Sequence, residues 1–397
     1  MAERTQRKGR ARVIRLVLAT FAACLVLVLL AAASIAYSYY RDLRDEVAQH
    51  DLGSVLDESE RPEKLNEAIT ILLIGSDDRA ENEEYGGHYM EGERSDSLML
   101  VHISPDRDEV TAINFPRDSL VQLPECGPYA GHDGTDGYYG MINAALFHGG
   151  PPCVVRTIES LTDIHIDHFA HMDFSGFRDM VDAVGGVEMC VPEPMQDERA
   201  HLDLEAGDQR LDGEQALAFV RARYEIGDGG DIGRIDRQQM FLAAFASEVL
   251  DDDLLVQPNQ LRALLDSVME HVTTDTELTL TTMLSLGSTL SDVELDDISF
   301  YTVPWWQAPS DPNRVIWNED LAAALFESVA QDDPIDPELF IESGEEPDEP
   351  TDSPTAEYPA EEEEPSQAAT APGDLDRRDA TANPCEEGLG SGTEAEW

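Results

Sequence analysis

Short apolar runs of strand length recur along the middle of the chain, at residues 69–74, 98–103, 110–115, 166–172, 187–191 and 298–304. Between them, apolar positions fall at helical spacing over 152–161, 173–184, 213–219, 236–250, 257–271 and 320–330. Strands and helices interleave without a fixed-period repeat. This pattern predicts an α/β fold, an α/β/α sandwich whose mixed central sheet is covered by helices on both faces. Two helix starts are legible, because Asp173 precedes Phe174-Ser175-Gly176 and Asp212 precedes Gly213-Glu214, each placed to cap.

The ends of the chain read differently. Residues 1–15 carry Arg4, Arg7, Lys8, Arg10, Arg12 and Arg15, and residues 16–37 are apolar. A helix needs about 20 apolar residues to span a bilayer, against about 7–15 in the apolar part of a signal peptide. A permanent transmembrane helix over 16–37 is therefore expected, with a cleavage near Ala31-Ala32-Ala33 as the alternative. The basic residues ahead of it hold the N-terminus in the cytoplasm and place the rest outside the cell membrane. Residues 38–66 then read as a polar stalk, 67–333 as the folded extracytoplasmic domain, and 342–397 as an acidic, proline-rich tail too poor in aliphatic residues to fold. The turn around Pro384-Cys385 is the exception if that cysteine is tethered.

Charge narrows the function classes. The chain has 82 Asp+Glu against 26 Lys+Arg, a formal net charge of -56, which argues against a nucleic-acid partner. Four cysteines, Cys126, Cys153, Cys190 and Cys385, fall outside the membrane, and four allow three connectivities. Cys126 with Cys153 is favoured because they bracket a Gly-rich excursion that gains most from a staple, which leaves Cys190 for Cys385. None of the spacings resembles a zinc ribbon.

The scarce cations cluster with aspartates in four segments: Ser76-Asp77-Asp78-Arg79, Arg94-Ser95-Asp96-Ser97, Pro116-Arg117-Asp118-Ser119, and the stretch holding Arg221, Arg223, Asp231, Arg234, Arg237, Gln238 and Gln239. Arginine presents a planar fork that matches phosphate oxygens in pairs, and neighbouring carboxylates hold a hard divalent cation that also grips phosphates. The first and third segments follow apolar runs, so they sit where buried strands end. In open α/β sheets that is where ligands bind. Scattered surface ion pairs are the competing reading, each contributing only about 0–1 kcal/mol.

These motifs resemble those of the LytR-CpsA-Psr family of membrane-anchored cell-wall ligases. The resemblance continues through Ile142-Asn143-Ala144-Ala145, Val184-Gly185-Gly186-Val187 and Leu211-Asp212-Gly213-Glu214-Gln215-Ala216-Leu217, and the contexts of Cys126, Cys153 and Cys190, with Asp311-Pro312-Asn313-Arg314, look like its actinobacterial branch. It implies a sandwich with an apolar cavity for a polyprenyl chain. It also implies a phosphotransferase that moves a glycopolymer from a polyprenyl-pyrophosphate carrier onto peptidoglycan. By motif, Asp77 and Asp96 would hold Mg²⁺, with Mn²⁺ a substitute. Arg79, Arg94, Arg117, Arg221 and Arg223 would hold the pyrophosphate, with Arg234, Arg237, Gln238 and Gln239 completing the rim. Asn114-Phe115-Pro116-Arg117-Asp118 departs from the usual Ser-Ile-Pro-Arg-Asp but keeps the charged pair.

Phosphoryl transfer asks for charge neutralisation and in-line positioning more than for covalent assistance. Asp118 and Asp231 are the candidates for a base, although an aspartate beside an arginine makes a weak one, and holding that arginine is the other role for each. A polyprenyl-pyrophosphate hydrolase and a non-catalytic envelope binding or regulatory protein are the alternative functions. His165, His168 and His171 recur at threes, but strand alternation turns His168 away from the other two, so one shared ion is not expected. Leu98, Leu100, Phe174, Phe177, Met180, Val181 and Leu217 are candidates for the cavity lining, with ordinary core as the alternative.

Overall fold

A computed structural model of the chain describes residues 48–76, 94–222, 231–250, 258–291, 293–311, 313–335, 377–381 and 384–387. It explains why the strand-length runs are apolar almost throughout. On β2 (Ile69–Ser76), Leu72 and Ile74 face one side of a sheet while Ile69, Ile71 and Leu73 face the other. The same alternation splits β3 (Ser95–Ile103) and β4 (Val110–Asn114): Leu98, Leu100 and Ile113 go to the first side, and Met99, Ile103, Val110 and Ala112 to the second. A sheet buried on both faces needs such runs.

The first face is covered by α1 (Ala144–Thr162) and α7 (Glu319–Gln331), and the second by α4 (Asp231–Leu250) and α6 (Leu280–Leu290). A third apolar cluster joins α2 (Phe174–Val184), β8 (Val187–Val191), β11 (Gly207–Leu211) and α3 (Gly213–Arg221) to Met240 and Phe241 of α4. Each fully buried leucine of these clusters, such as Leu72 or Leu100, contributes about 2 kcal/mol.

The main sheet has eight strands in the order β1-β12-β7-β2-β3-β4-β13-β16, with β1 (Ala48–His50), β7 (His168–Asp173), β12 (Val272–Asp275), β13 (Ile298–Thr302) and β16 (Arg377–Asp379). It is mixed: β2 runs parallel to β7 and β4 parallel to β13, while β3 is antiparallel to both its neighbours. Both helix caps read from the sequence are present. Asp173 accepts from the Gly176 amide, and Asp212 forms a reciprocal capping box with Gln215.

Two domain boundaries need correction. Ala48–His50 lies in the segment expected as stalk, yet it pairs with Thr273, Thr274 and Asp275 at one edge of the sheet. Arg377–Asp379 lies in the segment expected as unfolded tail, yet it pairs with Ser299, Phe300 and Tyr301 at the other. Three-residue strands have no room to show a period, so hydropathy cannot find them. Cys385 is disulfide-bonded to Cys190 on β8, which ties the second of these segments down. The other bridge joins Cys126 to Cys153. Residues 1–47 form a separate unit that lies outside the described residues, with the apolar segment 16–37 inside it.

α1 starts eight residues earlier than expected, at Ala144, and kinks where Gly149 and Gly150 leave helical geometry ahead of Pro151 and Pro152. A Cβ at Gly149 would fall 2.7 Å from that of Cys153, so the disulfide and the kink require glycine there. α6 was absent from the expected helices, its Thr- and Ser-rich sequence being a weak helix former. Also unexpected is a two-stranded ribbon of β5 (Leu120–Leu123) and β6 (Tyr138–Met141) beside the main sheet.

His102 on β3 shows how burial couples the fold to pH. It is bonded to Thr70 and, at 3.2 Å, to Asp332. Burial outweighs the carboxylates of Asp332 and Asp167 and lowers its pKa, with Lys64 adding in the same direction. A histidine kept neutral by folding contributes stability that is intact above its unfolded pKa of about 6.5 and is lost as pH falls toward the depressed folded value. Wild type is therefore expected to lose more stability than His102→Gln between about pH 7.5 and pH 5.5, read as the difference between their urea midpoints. Comparing the two removes the effect of the chain's large negative charge, which both share.

Candidate functional site

Because β3 runs against β2 and β4, its first residues lie where those strands finish. Ser95 is opposite Ser76, Ser97 opposite Gly75, and Met99 opposite Asn114. The parallel partners β7 and β13 end on the same side, at Asp173 and Thr302. Two of the four Arg/Asp segments, those of Asp96 and Arg117, are thereby delivered to one end of the sheet by topology alone, where Ser76 also ends β2.

The centre of this end is an ionic chain. Asp96 on β3 accepts from Nη1 of Arg117, three residues beyond β4. Nε of Arg117 is 3.8 Å from Oδ2 of Asp118. The other oxygen of Asp118 is 2.8 Å from Nη1 of Arg314. Asp118 is buried, whereas Arg117, Asp96 and Arg314 keep 18%, 21% and 29% of their side chains exposed, so the chain opens to solvent on both sides of Asp118. Ser119 anchors the loop, its hydroxyl accepting from Trp317 Nε1 at 2.9 Å and its carbonyl from the Ile142 amide.

α4 supplies the second wall. Arg234 donates through Nη2 to the Asp96 carbonyl at 3.1 Å, and Arg237 donates to the carbonyl of Ala222, just past α3. Ser97 donates to Gln238, which donates to the Val220 carbonyl. Gln239 donates to Asn114 at 3.2 Å and to Thr302 at 3.1 Å, spanning the ends of β4 and β13. Arg237 and Gln239 are 2% and 3% exposed, so in this structure they brace α4 against the sheet, with Arg234 nearer the charged pair.

Arg221 ends α3 with its guanidinium carbon 4.5 Å above the Phe174 ring, a cation–π contact. Arg94 immediately precedes β3. Asp77, Arg79 and Arg223, and the side chain of Asp231, lie outside the described residues. The histidines at threes go three ways: His165 to the Pro62 carbonyl, His168 to Asp275 and His171 to Ser76. The cavity candidates also divide. Leu98 and Leu100 belong to the cluster under α1 and α7, and Val181 and Leu217, with Phe174 and Phe177 against them, to the cluster of α2 and α3.

Arg314 is the residue of the site that sequence reasoning missed. Its segment, Asp311-Pro312-Asn313-Arg314, was legible as a motif, but its position 196 residues from Asp118 concealed the pairing. The chemistry available is electrostatic: several guanidiniums and a carboxylate at the carboxyl ends of strands, suited to a multiply charged phosphate and a hard cation.

The family description "LytR_cpsA_psr family" matches residues 28–326. A probable cell wall biosynthesis protein, LcpB of Corynebacterium glutamicum, is 34% identical over 273 residues, which are 65% of this chain and 60% of that protein. TagV of Bacillus subtilis, named a polyisoprenyl-teichoic acid–peptidoglycan teichoic acid transferase, is 32% identical over 216 residues, 53% of this chain and 50% of its own. The chain thus spans about half to three-fifths of these curated relatives. Its fold is similar to the crystal structure of TagV, with a TM-score of 0.54 and 27% identity over 68% of this chain and 100% of that one. The LytR-Csp2A-Psr enzyme from Actinomyces oris gives a TM-score of 0.54 at 23% identity, over 72% and 96% of the two chains, a likeness of fold.

Proposed function

The chain belongs to the LytR_cpsA_psr family, and from that premise we propose that it is a phosphotransferase that moves a glycopolymer from a polyprenyl-pyrophosphate carrier onto peptidoglycan. The observation that carries this reading is the Arg117–Asp96 pair, partly open to solvent at the carboxyl ends of the strands and backed by Arg234. The activity for which TagV is named supports a donor and an acceptor of these classes.

In the reaction, a sugar hydroxyl of peptidoglycan attacks the phosphorus that bears the glycan. The new phosphorus–oxygen bond makes a phosphodiester, the bond to the bridging oxygen breaks, and polyprenyl phosphate leaves with the electron pair. The hydroxyl proton passes to a base or to water. Arg117, Arg221 and Arg234, with Arg94, Arg79 and Arg223, spread the charge of the non-bridging oxygens. Arg237, Gln238 and Gln239 hold α4 in place for them. Asp118 has Arg314 on one oxygen and Arg117 near the other, which suits a positioning residue that fixes the Arg117 fork better than a proton acceptor.

The donor chemistry at this end suits Mg²⁺, or Mn²⁺. Asp96 offers hard carboxylate oxygen, and the four described cysteines are all consumed in disulfides, leaving no thiolate for a softer ion. Asp77 and Asp96 would hold the ion, and when bound it neutralises phosphate charge alongside the arginines. The proposal includes a membrane anchor over 16–37 with the catalytic domain outside the cell, supported by the basic residues before that segment.

The test is release of polyprenyl phosphate by the purified full-length protein from a polyprenyl-pyrophosphate glycan in the presence of peptidoglycan. Release coupled to glycan attachment, abolished by a chelator and restored by Mg²⁺, is expected. Release without attachment would make the protein a hydrolase, and donor binding without any release would make it an envelope-binding protein.

A further inference from the structure

Five large hydrophobic side chains are exposed among the described residues, and three of them, Tyr138, Tyr139 and Phe147, fall between positions 138 and 147. That span is β6, the second strand of the ribbon, and the first turn of α1, both inside the loop closed by the Cys126–Cys153 disulfide. Tyr138 and Phe147 flank one imidazole. The Tyr138 hydroxyl is 2.9 Å from Nε2 of His148, with the rings edge-on and their centroids 5.4 Å apart. Phe147 meets the same ring edge-on at 5.2 Å. Both outer rings remain about two-fifths exposed, at 39% and 40%.

Gly140 permits this arrangement, because a Cβ there would come within 2.3 Å of the Tyr138 ring. Tyr139 alternates to the opposite face of the ribbon, where it pairs across to Gln122. The stack adjoins the phosphate site along the chain, since β5 begins two residues after Asp118, and through the Ile142 amide, just past β6, which donates to the Ser119 carbonyl. Burial, and after it the charge of Arg94, lowers the pKa of His148.

We propose that Tyr138 and Phe147, framing His148, form a stacking platform for the sugar rings of the acceptor, the uncharged polysaccharide strand of peptidoglycan. The identity of the acceptor rests on the transferase reading. Exposed aromatic rings carrying a hydroxyl and a ring nitrogen match a pyranose, which has an apolar C–H face and a polar edge. The charge balance selects the acceptor over the donor glycan. Burial favours the neutral form of His148, and the surrounding loop adds Glu125, Asp133 and Asp136 to a chain of net charge -56, a field that repels a polyanionic polymer but not a neutral strand. A donor is also already held by its pyrophosphate, whereas an acceptor with no charged handle needs a contact surface of its own.

The test is sedimentation of the full-length protein, in detergent, with peptidoglycan sacculi stripped of attached polymers. Tyr138→Ala combined with Phe147→Ala is expected to weaken binding about tenfold. Gly140→Ala, which displaces the Tyr138 ring without removing it, is expected to weaken binding in the same direction, and Tyr139→Ala to leave it within about twofold. Binding of the polyprenyl-pyrophosphate glycan stays unchanged in all of them. For the wild type, neutral N-acetylglucosamine oligomers are expected to compete for sacculus binding, and anionic polysaccharide of equal length not to. Sacculus binding that survives loss of the stack, or is absent from wild type, overturns the platform. Loss of donor binding with sacculus binding retained overturns the acceptor assignment. Stack-dependent sacculus binding by a wild type that transfers nothing leaves the platform standing and removes the transferase reading instead.

Discussion

Asp96→Ala and Arg117→Ala are each expected to slow release of polyprenyl phosphate by about 10²–10³-fold, the loss typical of removing one fixed group that stabilises transition-state charge. The two residues share one ionic contact, so the double variant should lose little more than either single one. Arg117→Lys should recover little, since a point charge cannot reproduce a fork that serves Asp96 and faces Asp118 at once. Stability should hardly report the change. Both side chains are about one-fifth exposed, and a solvent-screened pair of this kind contributes about 0–1 kcal/mol. Activity measured beside a urea midpoint therefore separates the roles: a large fall in rate at a nearly constant midpoint is the expected result, and an unchanged rate in both variants would remove this end of the sheet as the reaction centre.

Replacing Cys126 and Cys153 together with alanine is expected to have the largest effect on stability, about 3.5 kcal/mol, from the loop-closure entropy of a 27-residue separation. Gly131, Gly134 and Gly137 all adopt positive φ, and the loop's other ties are hydrogen bonds: Cys126 with Thr135, Tyr129 with His132, Gly134 to the His148 carbonyl, His132 with the Phe147 carbonyl and His50 with the Tyr129 hydroxyl. Both half-cystines are themselves buried in the main core, so alanine is preferred to serine, which would add buried hydroxyls. A urea midpoint for the alanine pair that matches wild type would show that the ribbon holds its place without the bridge.

How much of this was legible follows from what hydrophobic pattern can report. Strands buried on both faces, such as 69–74 and 110–115, announce themselves as unbroken apolar runs, and the long helices by their spacing and caps at Asp173 and Asp212. The Arg/Asp segments were legible because cations are rare in this chain. What was hidden depends on partners distant in sequence. Arg314 reaches Asp118 only through the β15 (Val315–Trp317) connection beside Ser119, and Gln239 binds Asn114 and Thr302 only because α4 packs across two strand ends. Arg237 and Gln239, given a ligand-holding role by motif, are buried and bonded to Ala222, Asn114 and Thr302, contacts that can be read only once it is known which way a helix face turns.

The two outermost strands of the main sheet are each only three residues long, and both come from segments flanking the span that looked like the folded domain. An open sheet edge is a template on which a second molecule can add its own strand, and a very short edge strand limits how far such pairing can extend. Here the flanks supply those short strands. A fragment trimmed to residues 67–333 would bare the longer strands β12 and β13 instead. Its weakness would lie in self-association along those edges, at high protein concentration, rather than in its chemistry.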